Sequence, residues 1–186
     1  ADFDGTIFHK HDELKTLNSI DVFNSYSCRV ICTSRSLHDI KLRVNELSIT
    51  PDYIISWSGA LITNSKYEVL HLNEMCFTSE EGSLSNLVPI KFNEKVIQYY
   101  SDDLTIMNKL PISVRAEQYE NGLFVSSWNC TKLNAIQKLL NLIQWNGKVK
   151  CFGDSKYDFE FLNFYDGYLI QEGNNITALK SSNCIF

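Results

Sequence analysis

The 186-residue sequence has no C-x-x-C pair, no basic stripe, no internal repeat and no low-complexity tract. It also has no apolar run near the roughly 20 residues that a membrane-spanning helix needs. Each absence removes a class of function. Without C-x-x-C, the six cysteines (Cys28, Cys32, Cys76, Cys130, Cys151 and Cys184) support neither a zinc knuckle nor a thioredoxin-type redox motif. Cys32 and Cys151 lie inside apolar runs, where a thiol behaves as a small hydrophobe, so reduced structural thiols are expected. Acidic residues outnumber basic ones by 22 to 17, giving a formal net charge of -5 and a pI near 5.4, which disfavours a nucleic-acid partner. Asp2 and Asp4 stand where the apolar core of a signal peptide would have to begin. The expectation is a soluble, cytoplasmic protein with no membrane partner, in which the sequons Asn129-Cys-Thr and Asn175-Ile-Thr are chance matches.

Hydrophobic periodicity is what the chain does have. Leu14, Leu17 and Ile20 predict a helix over 13–24, and Leu37, Ile40, Val44 and Leu47 another over 36–47 with Ser36 as its cap. Thr131 is placed to cap a third, which carries Leu133, Ile136, Leu140 and Ile143. Short apolar runs at 28–33, 52–56, 149–152 and 168–171 read as buried strands, with a short helix at 156–163. A last helical turn is expected at 175–180 and a final strand at 184–186. Strands alternating with helices imply right-handed crossovers and a mostly parallel sheet covered on both faces.

The middle of the chain departs from this rhythm. Residues 60–72 read as a hairpin turning at Asn64-Ser65, and a second hairpin flanks Glu120-Asn121-Gly122, where Asn121-Gly122 is a strong turn signal. A helix is expected at 93–101 and a polar loop at 80–86. The reading is an α/β fold with a Rossmann-like parallel-sheet core over 1–60 and 128–186, and a small α+β cap inserted at 61–127. Tyr99, Tyr100, Tyr119, Phe124 and Trp128 are expected in the cap's core. Asp102-Asp103 reads as an exposed pair, and His9 and His11 as solvated loop histidines.

Ligands of an open parallel sheet gather at the carboxyl ends of its strands. Three polar clusters fall at such ends: Asp2-Phe3-Asp4-Gly5-Thr6, Thr33-Ser34-Arg35, and Gly153-Asp154-Ser155 with Asp158. Lys132 follows one residue into a helix. Carboxylates converging from two strands repel one another and need a counterion. A hard divalent cation such as Mg²⁺, with oxygen ligands, answers that need and keeps a bound aspartate ionised. Arg35 is placed either to bind substrate phosphate or to pair with an acid such as Asp39 or Glu46.

These clusters resemble the four motifs of the haloacid dehalogenase-like (HAD) superfamily of phosphatases. Asp2-Phe-Asp-Gly-Thr is similar to the first motif, Thr33 to the second, Lys132 to the third, and Gly153-Asp-Ser-Lys-Tyr-Asp158 to the fourth. The insert between the second and third resembles the α/β cap of the sugar-phosphatase branch, in which a stretch similar to Ser58-Gly59-Ala60 closes the first half of the core. The resemblance implies a phosphoric monoester hydrolase acting on a small phosphorylated substrate. In it Asp2 is the nucleophile, Asp4 the general acid and base, and Thr33 and Lys132 the groups that meet the phosphoryl oxygens. Gly5, Ser34 and Arg35 would line the substrate site. Mg²⁺ would be held by Asp2, the main-chain carbonyl of Asp4, and Asp154, with Asp158 as a further or outer ligand. A phosphomutase and a catalytically weak phosphate-binding protein are the alternatives. Ser34, Leu133 and Tyr157 stand where the family more often has Gly, Gly and Asn. The family also supplies several apolar residues ahead of the first motif as a central strand. Here only Ala1 precedes Asp2, so the sequence is expected to begin inside that strand.

Overall fold

The computed structural model describes residues 1–75, 87–119, 122–170 and 176–179. Its organising feature is a pair of backbone ladders joined by the first two residues. In the first ladder, β1 (Val30–Cys32) pairs in parallel with β2 (Tyr53–Ser56), and the antiparallel hairpin β3 (Leu61–Asn64) and β4 (Val69–Leu72) extends it from β2. The second ladder comes from the far end of the chain. There β9 (Lys150–Gly153) pairs in parallel with β10 (Asp166–Ile170), and β11 (Ile176–Leu179) closes antiparallel on β10. Between the two lies the extended start of the chain. The Cys32 amide donates to the Ala1 carbonyl at 2.8 Å, and the Asp2 amide donates to the Phe152 carbonyl at 2.8 Å. These bonds set Asp2 directly between the ends of β1 and β9.

Alternation along β1 and β2 splits the interior into two layers. Ile31 and Ile54 face Phe3, Phe23 and Ile40 on one side, under α1 (Glu13–Asn24) and α2 (Leu37–Glu46). Cys32 and Ile55 face Ile136, Leu139 and Phe161 on the other, under α3 (Lys132–Leu142) and α4 (Phe159–Phe164). The caps are local: the Ser36 hydroxyl accepts from the Asp39 amide and the Thr131 hydroxyl from the Asn134 amide, each at 3.0 Å. In α1 the apolar face is not the expected one. Thr16, Ile20 and Phe23 point inward, whereas Leu14 and Leu17 are 70% and 53% exposed, because the bulk of Phe23 sets the rotation of the helix. Cys32, Cys130 and Cys151 are buried free thiols.

A separate four-stranded antiparallel sheet, in the order β5-β6-β8-β7, occupies the middle of the chain. Its strands are β5 (Val88–Phe92), β6 (Lys95–Ser101), β7 (Val114–Tyr119) and β8 (Gly122–Ser127). The hairpin at 61–72 therefore pairs with the core sheet and not with this one. The expected helix at 93–101 is instead β6, for which Val96, Ile97, Tyr99 and Tyr100 are strand-favouring residues. Asn93 and Glu94 both have positive φ, at 47° and 64°, which makes the two-residue hairpin turn that twisted strands prefer. The expected helical turn at 175–180 is likewise a strand, β11, across residues 176–179. The loop expected at 80–86, the turn residues Glu120 and Asn121, and the strand expected at 184–186 lie outside the described residues. Trp128 is 66% exposed and not part of the second sheet's core. Among the described residues, no helix is long and apolar enough to cross a membrane.

Gly59 ties the two halves together. It has φ +110°, and a Cβ there would lie 2.5 Å from the Thr131 main-chain oxygen. The backbone leading into α3 thus packs where only glycine leaves room. Gly59→Ala is expected to destabilise the fold by about 2 kcal/mol or more, read as a lowered midpoint in urea denaturation. An unchanged midpoint would contradict this close approach.

Candidate active site

Asp2, Lys132, Asp154 and Asp158 meet at the carboxyl ends of the central strands. The Lys132 ammonium donates to Asp2 Oδ1 and to Asp158 Oδ1, each at 2.7 Å. This ion triplet is buried, Asp158 completely. Lys132 reaches it because it is the first residue of α3, fixed by the Thr131 cap. Asp158 is held by its own loop. Its Oδ2 accepts from the amides of Asp154 and Ser155, at 3.2 and 3.1 Å, and from the Ser155 hydroxyl at 2.9 Å. Asp154 is exposed at the mouth, with one carboxylate oxygen in a group that spans no more than 4.8 Å with Asp2 and Asp158. Gly5, at φ +70°, clears the space for it, since a Cβ at that position would lie 2.1 Å from Asp154 Oδ2.

The electrostatics follow from burial. Loss of water pushes the Asp2 carboxyl up to about 7; Lys132 opposes the rise, and Asp158 and Asp154 add to it. Burial and Asp158 raise Asp154 as well. Burial alone would lower the Lys132 ammonium, but Asp2 and Asp158 outweigh it and hold the group well above its ordinary range. Three carboxylates against one ammonium leave this pocket short of positive charge. All the available donors are hard oxygens. Both oxygens of Asp158 are engaged by protein donors, which leaves Asp2 and Asp154 with oxygens to offer. That donor set fits a small hard divalent cation such as Mg²⁺.

The other sequence-expected residues lie around this centre. Thr33 is fully buried at the end of β1, and its hydroxyl accepts from the Arg35 amide at 3.2 Å. Asp4 is not in the carboxylate group. Its side chain turns to Arg35, which donates from Nε to Oδ2 and from a terminal nitrogen to Oδ1, both at 2.7 Å. Arg35 also pairs with Asp39, so the acid-pairing role holds, with Asp4 as a second partner; Glu46 pairs with Arg43 instead. Ser34 meets the Tyr119 hydroxyl from the second sheet, and the Tyr157 hydroxyl donates to the Gln118 carbonyl at 2.6 Å.

Sequence reasoning missed Glu117. It is buried in β7 and accepts from the Ser58 hydroxyl at 2.6 Å, from the Tyr119 hydroxyl at 2.9 Å and from Arg115 at 3.1 Å. The signal was present: Arg115, Glu117 and Tyr119 alternate along one strand and so share a face.

A family model described as haloacid dehalogenase-like hydrolase matches residues 1–122. None of the curated proteins matches. Several solved structures share the fold. A haloacid dehalogenase-like hydrolase from B. subtilis is 15% identical with a TM-score of 0.68, covering 93% of this chain and 88% of that one. The HAD subclass IIB sugar phosphatase BT4131 is 15% identical with a TM-score of 0.65, covering 87% and 82%. The phosphatase BT1666 from Bacteroides thetaiotaomicron is 16% identical with a TM-score of 0.64, covering 87% and 78%.

The raised Asp2 predicts an unusual pH response in metal-free protein. The unfolded chain loses this proton near 3.8 and the folded one near 7. Between those values the native state binds more protons, so its stability falls as pH rises. Denaturation midpoints in chelator should drop across that window, and added Mg²⁺ should restore more stability at its neutral edge than at its acidic edge. Midpoints that rise with pH in chelator, or an equal Mg²⁺ effect throughout, would contradict this.

Proposed function

The chain belongs to the haloacid dehalogenase-like hydrolase family, and on that premise we propose that it is a Mg²⁺-dependent phosphatase of small phosphorylated metabolites. The observation that carries the reading is the convergence of Asp2 with Asp154 and Asp158, from the opposite end of the chain, around the Lys132 ammonium. A sugar phosphate is the favoured substrate class, because BT4131, which shares the fold across most of both chains, is a sugar phosphatase.

In this reading Asp2 attacks phosphorus in line. A bond forms from its carboxylate oxygen to phosphorus while the bond to the leaving alcohol breaks, giving an aspartyl-phosphate. Asp4 gives the departing oxygen a proton. It then takes one from the water that attacks phosphorus, so that Asp2 is regenerated and inorganic phosphate is released. Arg35 sets the direction of Asp4 through two parallel hydrogen bonds. Lys132 offsets charge on the phosphoryl group and favours the ionised Asp2 that attack requires. Thr33 donates its hydroxyl to a phosphoryl oxygen, with Gly5 and Ser34 lining the same space. Asp2, Asp154 and the main-chain carbonyl of Asp4 are the proposed ligands of Mg²⁺, with Asp158 behind them. When bound, the ion supplies charge neutralisation for carboxylates and phosphate together. Residues 1–60 and 128–186 are proposed as the catalytic core, joined by the 61–72 hairpin through sheet pairing. The second sheet is proposed as the cap that selects the leaving group.

Purified protein in Mg²⁺ is expected to release phosphate from an aryl phosphate. Asp2→Asn should cost at least about a thousandfold in kcat, which is about 4 kcal/mol of transition-state stabilisation. Chelator should abolish turnover and Mg²⁺ restore it. Turnover indifferent to both treatments would overturn the reading.

A further inference from the structure

We infer that Asp39, on the first turn of α2, is a positioning residue: it pins the Arg35 guanidinium, and through it aims the Asp4 carboxylate at the departing oxygen. The catalytic half of the inference rests on the phosphatase reading; the pin itself does not.

Asp4 does not hold its own direction. Its side chain is 47% exposed, and among the described residues both hydrogen-bond donors to its carboxylate belong to Arg35. An acid free to turn faces the reacting atoms only part of the time. Arg35 uses one site on each oxygen, of about four that a carboxylate offers, so places for a proton remain. The direction of Asp4 is therefore the direction of Arg35.

Four contacts fix the arginine. At its root the amide donates to the Thr33 hydroxyl at 3.2 Å, and the carbonyl accepts from the Trp57 amide at 2.9 Å. The guanidinium carbon stands over the Phe3 ring, 5.7 Å from its centre. A ring contact of this kind is weakly directional, so the turn of the guanidinium is set by hydrogen bonds at its two ends. Nε and Nη2 face Asp4, and Nη1 donates to Asp39. Without Asp39 the far end would have no anchor in that network, and the grip on Asp4 would swing with it.

Asp39 can serve as an anchor because it is itself held. It is the third residue of α2, and its amide donates to the Ser36 hydroxyl at 3.0 Å. An acid at that position also suits the positive end of the helix, and a half-exposed ion pair four residues apart adds little to stability. The third member is what sets this pair apart. Arg43 and Glu46 pair on the same helix, and the Arg43 guanidinium ends over the Phe8 ring. Arg35 instead runs on from Asp39 to Asp4, two residues from the proposed nucleophile.

The pin is visible without turnover. The chain has four arginines, Arg29, Arg35, Arg43 and Arg115. In protein labelled with nitrogen-15 arginine, the Arg35 Nε–H signal is assigned by its loss in Arg35→Lys. It should exchange with water about tenfold faster in Asp39→Ala than in wild type, and near the wild-type rate in Asp39→Asn, which keeps an oxygen acceptor. No acceleration in Asp39→Ala would overturn the pin, and so would equal acceleration in Glu46→Ala. Turnover in Mg²⁺ decides the aim. The ratio kcat/KM reports transfer to Asp2, in which a nitrophenolate leaves unaided whereas an alkoxide needs a proton. Asp39→Ala should lose about tenfold in kcat/KM on glycerol phosphate and less than about twofold on nitrophenyl phosphate, with Asp39→Asn close to wild type on both. Equal losses on the two esters, the mark of a disturbed helix, would overturn the aim, as would no loss on either. A wild-type chain that hydrolyses neither ester would count against the phosphatase reading, while exchange at Arg35 would still decide the pin.

Discussion

The structure turns on one ammonium between two buried carboxylates. Lys132 touches Asp2 and Asp158 at 2.7 Å each, in a place where water is excluded. An unpaired charge there would be strongly destabilising, so the three groups are tied to one another as firmly as any part of the core. This contact joins the extended start of the chain, the start of α3 and the loop after β9. The surrounding features support the same meeting point: Thr131 caps α3 so that Lys132 points inward, Gly5 yields space to Asp154, and the 155–158 turn wraps the far oxygen of Asp158.

That arrangement is stable enough to fold and still incomplete in charge. Asp2 is held at the border of ionisation, where it is most sensitive to a further cation. The same imbalance suits the site to a small hard divalent cation, and in the proposed phosphatase reading that cation would favour the ionised Asp2. The second sheet adds the last layer. Its β7 row meets the core loops through hydrogen bonds, the Arg115–Glu160 ion pair and the packing of the Tyr119 ring on Tyr157, and near the chain crossings it packs on an apolar cluster around Ala60, Ile97 and Cys130.

Much of this was legible in the residues. The first and last polar clusters have their types and spacing written in sequence, and the caps at Ser36 and Thr131 are local signals that needed no tertiary knowledge. What was not legible depended on distant partners. Leu14 and Leu17 have helical spacing with Ile20, yet Phe23 decides which face turns inward. The strand at 95–101 was hidden by a turn made of Asn93 and Glu94, because glutamate is not a residue one expects at positive φ. Arg35 was readable as a charge near the site, but its grip on Asp4 comes from two loops meeting in space. Glu117 lay in plain alternation with Arg115 and Tyr119; only the packing of β7 on Ser58 gives that row a meaning.

The central claim is that Asp2, one of the two carboxylates tied to Lys132, is the one that receives the phosphoryl group. Rapid quenching during turnover, followed by borohydride reduction and peptide mass spectrometry, would find the acyl phosphate directly. The account predicts reductive conversion of aspartate to homoserine at Asp2 and at no other acid. Reduction at Asp4 or Asp154, or none at all while phosphate is being released, would contradict it.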